Sequence, residues 1–360
     1  MKDIFAVFRQ FPTDGEPLRM EQIKSGHINE TFLIETDTGA RYILQGINQY
    51  VFPNVAAIMH NMSAITAHLR RLGEGERAMI HYIDTRDGAA WYDDGAGGAW
   101  RIYRFVDNSV CHQYAESAED FYESARAFGS FQYALRDFPA EQLEETIANF
   151  HNTVDRYGQF RRAVEEDACV RLASVRPEVD FVLKREERAC VLQHLREQGM
   201  LPVRATHNDT KINNVLLDAD TGKAICVIDL DTVMPGLSAY DFGDAIRFGA
   251  STGTEDEKDL DKVNLDLGLF RTFTRGWLES CPSLTDAEID MLPQGAYTMT
   301  LECGLRFLAD YLAGDKYFST EREGQNLDRA RTQFKLVRDM EAHWDEMRAI
   351  VEEERARAKT

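Results

Sequence analysis

The residues best equipped for chemistry lie together in His207-Asn208-Asp209-Thr210-Lys211-Ile212-Asn213-Asn214, which has the spacing H-x-D-x-x-x-x-N. Twenty residues past Asp209, the apolar run Ala224-Ile225-Cys226-Val227-Ile228 ends in Asp229-Leu230-Asp231. Such a set suits phosphoryl transfer. One carboxylate orients an attacking hydroxyl and takes its proton, while further oxygen ligands hold a divalent cation on the phosphates. Asp209 fits the first role, and Asn214 with Asp229 the second. His207 is read as a hydrogen-bonding residue of the loop rather than an acid or base.

These groups need strands behind them and a second body to hold a phosphate donor. The β-branched run 224–228 and the neighbouring Asn214–Leu217 supply short strands around the loop. In the first hundred residues, Glu30–Glu35 and Arg41–Gln45 flank the turn Thr36-Asp37-Thr38-Gly39 and read as a hairpin. A helical run over 54–72 stops at Gly73, and further strands are expected near 79–83, 90–92 and 99–105. After Asp107 the pattern turns helical. Expected helices cover 140–151, 178–198, 258–278, 301–312 and 326–358, with another opened by an N-cap box at Ser117 and ending near Phe138. Thr285-Asp286-Ala287-Glu288 is a second capping box, and the charge-rich terminal helix is expected to present a solvated face. The fold class is α+β and bilobal: a small β-rich lobe over 1–107 and a larger helical lobe over 108–360.

A chain of 360 residues with 44% hydrophobic content has material for two cores. Its formal charge of −20 and the lack of a basic stripe argue against nucleic acid as a partner. No apolar stretch approaches the roughly 18 residues of a membrane span. The start, Met1-Lys2-Asp3-Ile4-Phe5, lacks a signal-peptide pattern, so a cytoplasmic address is expected. The six cysteines contain no C-x-x-C and are expected as free thiols. No obligate protein partner is inferred.

The pattern H-N-D…N…V-I-D-L-D…Y-D-F-G-D resembles the aminoglycoside phosphotransferase and choline kinase superfamily, which shares a protein-kinase-like fold. More closely it resembles the bacterial N-acetylhexosamine 1-kinases. The stretches Gly26-His27-Ile28-Asn29, Asp229–Gly236, Ile246–Thr252 and Glu302–Leu312 carry that likeness from residue 26 past 310. The resemblance implies ATP as co-substrate, Mg²⁺ on Asn214 and Asp229, and an N-acetylhexosamine as acceptor at its 1-hydroxyl. It also implies that Asp241, although it opens the string Asp241-Phe242-Gly243, buttresses the catalytic loop and binds no metal. Asp231 is expected in the same supporting role as His207.

For the nucleotide, Gly26 in the loop Ser25–Asn29 is the covering residue, and the backbone near Tyr103 and Phe105 is expected to hold the adenine. Gln45 stands where a phosphate-pairing lysine is usual; it keeps donors and loses the charge. For the acceptor, the candidates are His27, Asp244, Arg306 and Tyr317, with Arg247 beside them. Arg306, on an otherwise apolar stretch, is read either as a fork onto sugar or acetamido oxygens or as a salt bridge to a neighbouring carboxylate such as Asp310. Two rival readings stay open: a kinase of another hydroxylated metabolite (an aminoglycoside, homoserine, choline or a pentose), and a non-catalytic nucleotide-binding relative.

Overall fold

Alternation of apolar and polar residues builds the first layer. The computed structural model describes residues 3–23, 28–73, 75 and 77–359, and in it six antiparallel strands form one sheet. They are β1 (Pro17–Ile23), β2 (Glu30–Thr36), β3 (Arg41–Ile47), β4 (Tyr82–Ile83), β5 (Tyr92–Asp93) and β6 (Ala99–Arg104), in the order β1-β2-β3-β6-β4, with β5 also on β6. One face buries Phe32, Ile34, Tyr42, Leu44, Trp100 and Ile102 against Ile4, Val7 and Phe8 of the short helix α1 (Ile4–Phe8). The alternate residues, Gln45 and Ile47 among them, point to the other face. There Ile47 joins the core of α2 (Val55–Arg71), whose Ile58, Met62, Ile65 and Leu69 are buried. Asn54 caps this helix by accepting from the Ala57 N–H at 3.1 Å.

The chain leaves β6 for β7 (Ser109–Val110), which pairs with the second body, not with the first sheet. That body holds two small sheets, β10-β9-β7 and β11-β8, made with β8 (Arg204–Thr206), β9 (Val215–Asp218), β10 (Ala224–Val227) and β11 (Met234–Gly236). Around them lie α3 (Ala118–Ala134), α4 (Thr153–Glu166), α5 (Arg176–Leu183), α6 (Glu186–Ala189), α7 (Val191–Glu197) and α8 (Ser238–Gly249). The remainder is α9 (Leu267–Ser280), α10 (Asp286–Asp290), α11 (Leu292–Ala313), α12 (Gln325–Ala342) and α13 (Trp344–Ala358). The expected capping boxes are present: Ser117 with Asp120 opens α3, and Thr285 with Glu288 opens α10. The result is the expected α+β, protein-kinase-like arrangement of an antiparallel N-lobe and a helical C-lobe. All six cysteines are free thiols. Among the described residues, no helix is long and apolar enough to cross a membrane.

Several expected helices differ, each for a tertiary reason. Residues 140–151 form only a 3-10 turn, Ala140–Gln142. Asn61 of α2 takes the Glu144 N–H at 2.9 Å and donates to the Glu144 carbonyl at 2.8 Å, and Thr146 donates to the Asp231 carbonyl at 2.8 Å. Those lateral bonds replace the intrahelical ones. The run 178–198 is broken into α5, α6 and α7, and the run 258–278 yields helix only from Leu267. The terminal run divides at His343 into α12 and α13. Neither is merely a solvated face, since Phe334, Leu336, Val337, Met340, Met347, Ile350 and Val351 are buried.

The central helices α8 and α11 touch backbone to backbone. A Cβ at Gly243 would lie 2.3 Å from the Gly295 carbonyl oxygen, and one at Gly295 would lie 2.2 Å from that of Ala239. Only glycine permits so close a crossing.

Candidate active site

Strand β8 delivers the chain into the loop 207–211, where Asn208 adopts a left-handed conformation (φ 64°). The buried Asp241 of α8 fixes that turn. Its Oδ2 accepts the His207 N–H at 2.9 Å and its Oδ1 the Asn208 N–H at 2.7 Å, while Gln132 of α3 donates to Oδ2 at 2.9 Å. Three N–H donors suit an ionised carboxylate, although burial pushes the Asp241 carboxyl up from its ordinary value. His207 accepts the Asp209 N–H on Nδ1 at 3.3 Å and bonds the Ile228 carbonyl through Nε2 at 2.9 Å. Its ring packs edge-on to Phe128 at 5.3 Å. A further chain reaches the loop from α11, where Glu302 holds His151 Nδ1 at 2.8 Å and His151 Nε2 meets the Asn208 carbonyl at 3.2 Å.

The loop so held presents Asp209. Its Oδ1 pairs with Lys211 Nζ at 2.9 Å and its Oδ2 accepts from Asn214 Nδ2 at 3.0 Å. Burial would raise this carboxyl, but the Lys211 charge and hydrogen bond, with help from Asn214, outweigh it and hold it below the ordinary carboxylate value. Burial likewise opposes the Lys211 charge, and Asp209 and Asp244 prevail. About a quarter of each side chain stays exposed, 26% for Asp209 and 27% for Lys211, so an incoming hydroxyl can reach the carboxylate.

Asn214 and Asp229 are brought together because the Ile228 N–H donates to the Asn214 carbonyl at 2.9 Å. Asp229 is itself left-handed (φ 59°, ψ 58°), a conformation that costs a non-glycine residue energy and clusters at functional sites. Asp229 is exposed, yet water lost to the atoms packed around its carboxyl, then Asp231 and Asp209, push that carboxyl up to about 7. A cation there would relieve that repulsion, so the donor set fits a divalent metal. Among the described residues, no three His, Cys, Asp or Glu converge to hold a metal alone. Mg²⁺ does not need them, because it takes one or two protein oxygens and completes its octahedron with water and phosphate.

Above the cleft, Gln45 Nε2 donates to Thr31 Oγ1 at 3.2 Å, and its Oε1 accepts two bonds from Arg101, at 3.0 and 2.8 Å. Arg101 Nη1 pairs with Asp231 Oδ1 at 2.5 Å, and Asn29 Nδ2 holds Asp231 Oδ2 at 2.6 Å. Tyr103 is paired to both β3 and β4, and the Phe105 N–H donates to the Arg41 carbonyl at 3.0 Å. Gly26 and His27 lie outside the described residues.

Of the residues expected to meet the acceptor, Asp244 is buried and its oxygens are taken. Its Oδ2 takes the Thr210 N–H at 3.0 Å and its Oδ1 the Arg247 Nε at 2.9 Å. Arg247 reaches on to Glu255 at 3.0 Å, and both line a cavity of about 400 Å³ with Tyr114, Phe248, Ser251 and Thr252. Arg306 is half-buried among the rings of Phe150, Phe318 and Tyr317, 5.1, 5.4 and 5.8 Å from their centres. Its alternative expectation, a salt bridge to Asp310, is not what forms. That carboxylate accepts the N–H groups of Lys316, Tyr317 and Phe318 and the amide of Asn326. Tyr317 is 44% exposed.

Sequence reasoning assigned no role to Arg101, Asn29, Lys211 or the Glu302–His151 link. A lone arginine inside Ala99-Trp100-Arg101-Ile102-Tyr103 was the available signal for the first, since a charge in a buried strand needs a partner. Lys211 lay within the quoted motif.

The family model for the phosphotransferase enzyme family matches residues 19–276. An aminoglycoside phosphotransferase from Alicyclobacillus acidocaldarius subsp. acidocaldarius superposes with a TM-score of 0.64, at 13% identity, covering 97% of this chain and 96% of that one. A choline kinase from Cryptosporidium parvum Iowa II gives 0.60 at 14% identity, covering 96% of each chain. A microcompartment-associated aminopropanol kinase gives 0.57 at 16% identity, covering 96% of this chain and 98% of its own. At such identities the structural likeness is one of fold.

Proposed function

The chain belongs to the phosphotransferase enzyme family, and on that premise we propose that it is an ATP- and Mg²⁺-dependent kinase acting on the anomeric 1-hydroxyl of N-acetylhexosamines. The observation that carries the reading is Asp209, steadied by Lys211 and Asn214, reachable from the cleft, and on the loop that brings Asn214 beside Asp229. Asp209 aligns the sugar hydroxyl and receives its proton as the bond to phosphorus forms. A carboxylate held below its ordinary range is a weak base, so alignment is the larger part of its work. Asn214 and Asp229 would hold Mg²⁺, which would supply neutralising charge at the phosphates. Gly26, Gln45 and the backbone around Tyr103 and Phe105 receive the nucleotide, with His207, Asp231 and Asp241 in support.

For the sugar we assign His27, Arg306 and Tyr317, the last two offering a fork and a ring face. Asp244 acts through Arg247, because its own oxygens are taken. The acceptor wall favours a neutral, oxygen-rich substrate over an amine. The Arg247 and Arg306 charges both act on the Cys303 thiol, and that of Arg306 also on Arg156. Arg247 is offset by Asp244 and Glu255, so the charge a choline-like cation would meet is that of Arg306, which already occupies the aromatic box that could hold it. The net charge of −20 favours the alternative, a kinase of a cationic metabolite.

The test is ATP consumption with Mg²⁺ across N-acetylhexosamines, plain sugars, aminoglycosides and amino alcohols, with phosphorus NMR of the product. An anomeric phosphate from N-acetylglucosamine or N-acetylgalactosamine is the expected result. Turnover only on another alcohol would remove the hexosamine and keep the kinase.

A further inference from the structure

We propose that Arg101 is the cation that meets the nucleotide's phosphates, doing from β6 what a lysine at position 45 would do from β3. The pairing register sets Gln45 directly opposite Arg101, so the two side chains leave the sheet on the same face, toward α2 and the cleft. Gln45 is itself oriented by Thr31, and its carbonyl oxygen grips both Nε and Nη2 of Arg101. The glutamine therefore keeps the position of the missing lysine and spends it on aiming the neighbouring guanidinium.

Arg101 also has the carboxylate partner that a phosphate-pairing cation needs. In the kinase arrangement that cation is steadied by a carboxylate while it holds phosphate. Arg101 has such a partner in Asp231, whose other oxygen is fixed by Asn29 at the end of the nucleotide loop. One hydrogen-bonded unit thus joins that loop, β3, β6 and the 229–231 segment. At 1% exposure the guanidinium is costly to bury, and its field reaches Asp229, the proposed metal ligand. The same neighbourhood carries Asp209, Asp229 and Asp231, and its other cation, Lys211, is paired to Asp209 as Arg101 is to Asp231. A polyphosphate entering an acidic protein needs positive charge on the side where its oxygens lie, and Arg101 supplies it.

The inference rests on reading the cleft as a nucleotide polyphosphate site, and the experiment separates the two claims. Adenosine and ADP with Mg²⁺ are titrated calorimetrically into wild type, R101K, D231N and R101Q/D231N, with a melting curve for each. The double variant removes the charge without leaving a buried carboxylate unpaired. Measured against D231N alone, it should lose roughly 10- to 100-fold in ADP affinity with adenosine binding kept within about twofold. R101K, which keeps a charge and loses the fork, should fall between; it carries the test if the double variant does not fold. Loss of adenosine and ADP affinity in step, or unchanged ADP affinity, would overturn the role of Arg101. Wild type binding ADP no better than adenosine would instead overturn the nucleotide reading.

Discussion

Replacing Asp241 by asparagine keeps the shape of the side chain and changes one acceptor into a donor. The buried carboxylate now takes three N–H groups, two of them from the backbone of His207 and Asn208. In D241N the remaining oxygen can keep the Asn208 N–H. The new amide would face the His207 N–H and the Gln132 amide. Gln132 can turn over, since its own Oε1 has no partner, but the His207 N–H cannot move without the loop. One orphaned buried donor plus the loss of charge assistance amounts to about 2–4 kcal/mol. Urea unfolding of wild type and D241N should show that difference in the midpoint with little change in slope. Turnover should fall about 100-fold through the displaced Asp209, with the Mg²⁺ dependence of the rate unchanged. Stability within about 0.5 kcal/mol of wild type, together with a large rise in the Mg²⁺ requirement, would refute the buttress and return Asp241 to metal binding.

Asp209→Asn should abolish turnover while nucleotide affinity stays nearly intact by calorimetry; a variant retaining a tenth of the activity would sink the base assignment. Asp229→Asn should stabilise the metal-free protein, and more so at high pH. A folded-state value of about 7 against an ordinary 3.8 means that the stability of the protonated form is full below 3.8 and is lost as pH rises through about 7. A dry site would cost roughly 4 kcal/mol, and screening by cleft water reduces this to about 1–2 kcal/mol. Asparagine tolerates the left-handed backbone, so no strain offsets the gain. Melting at pH 5 and pH 8.5 without metal checks it, and equal gains at both would contradict the charge argument.

Local signals in the sequence sufficed for β2, β3, α2 and both capping boxes, because caps, turns and periodicity are written in neighbouring residues. The nearness of Asn214 to Asp209 was legible for the same reason: the spacing of the loop is its geometry. What failed depended on distant partners. Residues 140–151 look helical until Asn61, some eighty positions earlier, claims the backbone of Glu144. The long run at the end of the chain hides a break at His343 because both halves bury apolar faces. Gln45 looked like a lost charge because its compensating arginine sits across a strand pairing that no short motif records.

The crossing at Gly243 and Gly295 bears on how such an enzyme could change its diet. Asp241, Asp244 and Arg247 follow one another by single turns on α8, and Glu302, Cys303 and Arg306 ride on α11. With the two helices locked through their backbones, the loop support and the proposed acceptor contacts are machined into one block. A methyl group at either glycine would shift both at once, so those two positions should stay frozen in any library selected for activity. New acceptor preferences would have to be recruited from what the block leaves free, the irregular segments 250–266 and 314–324 that border it.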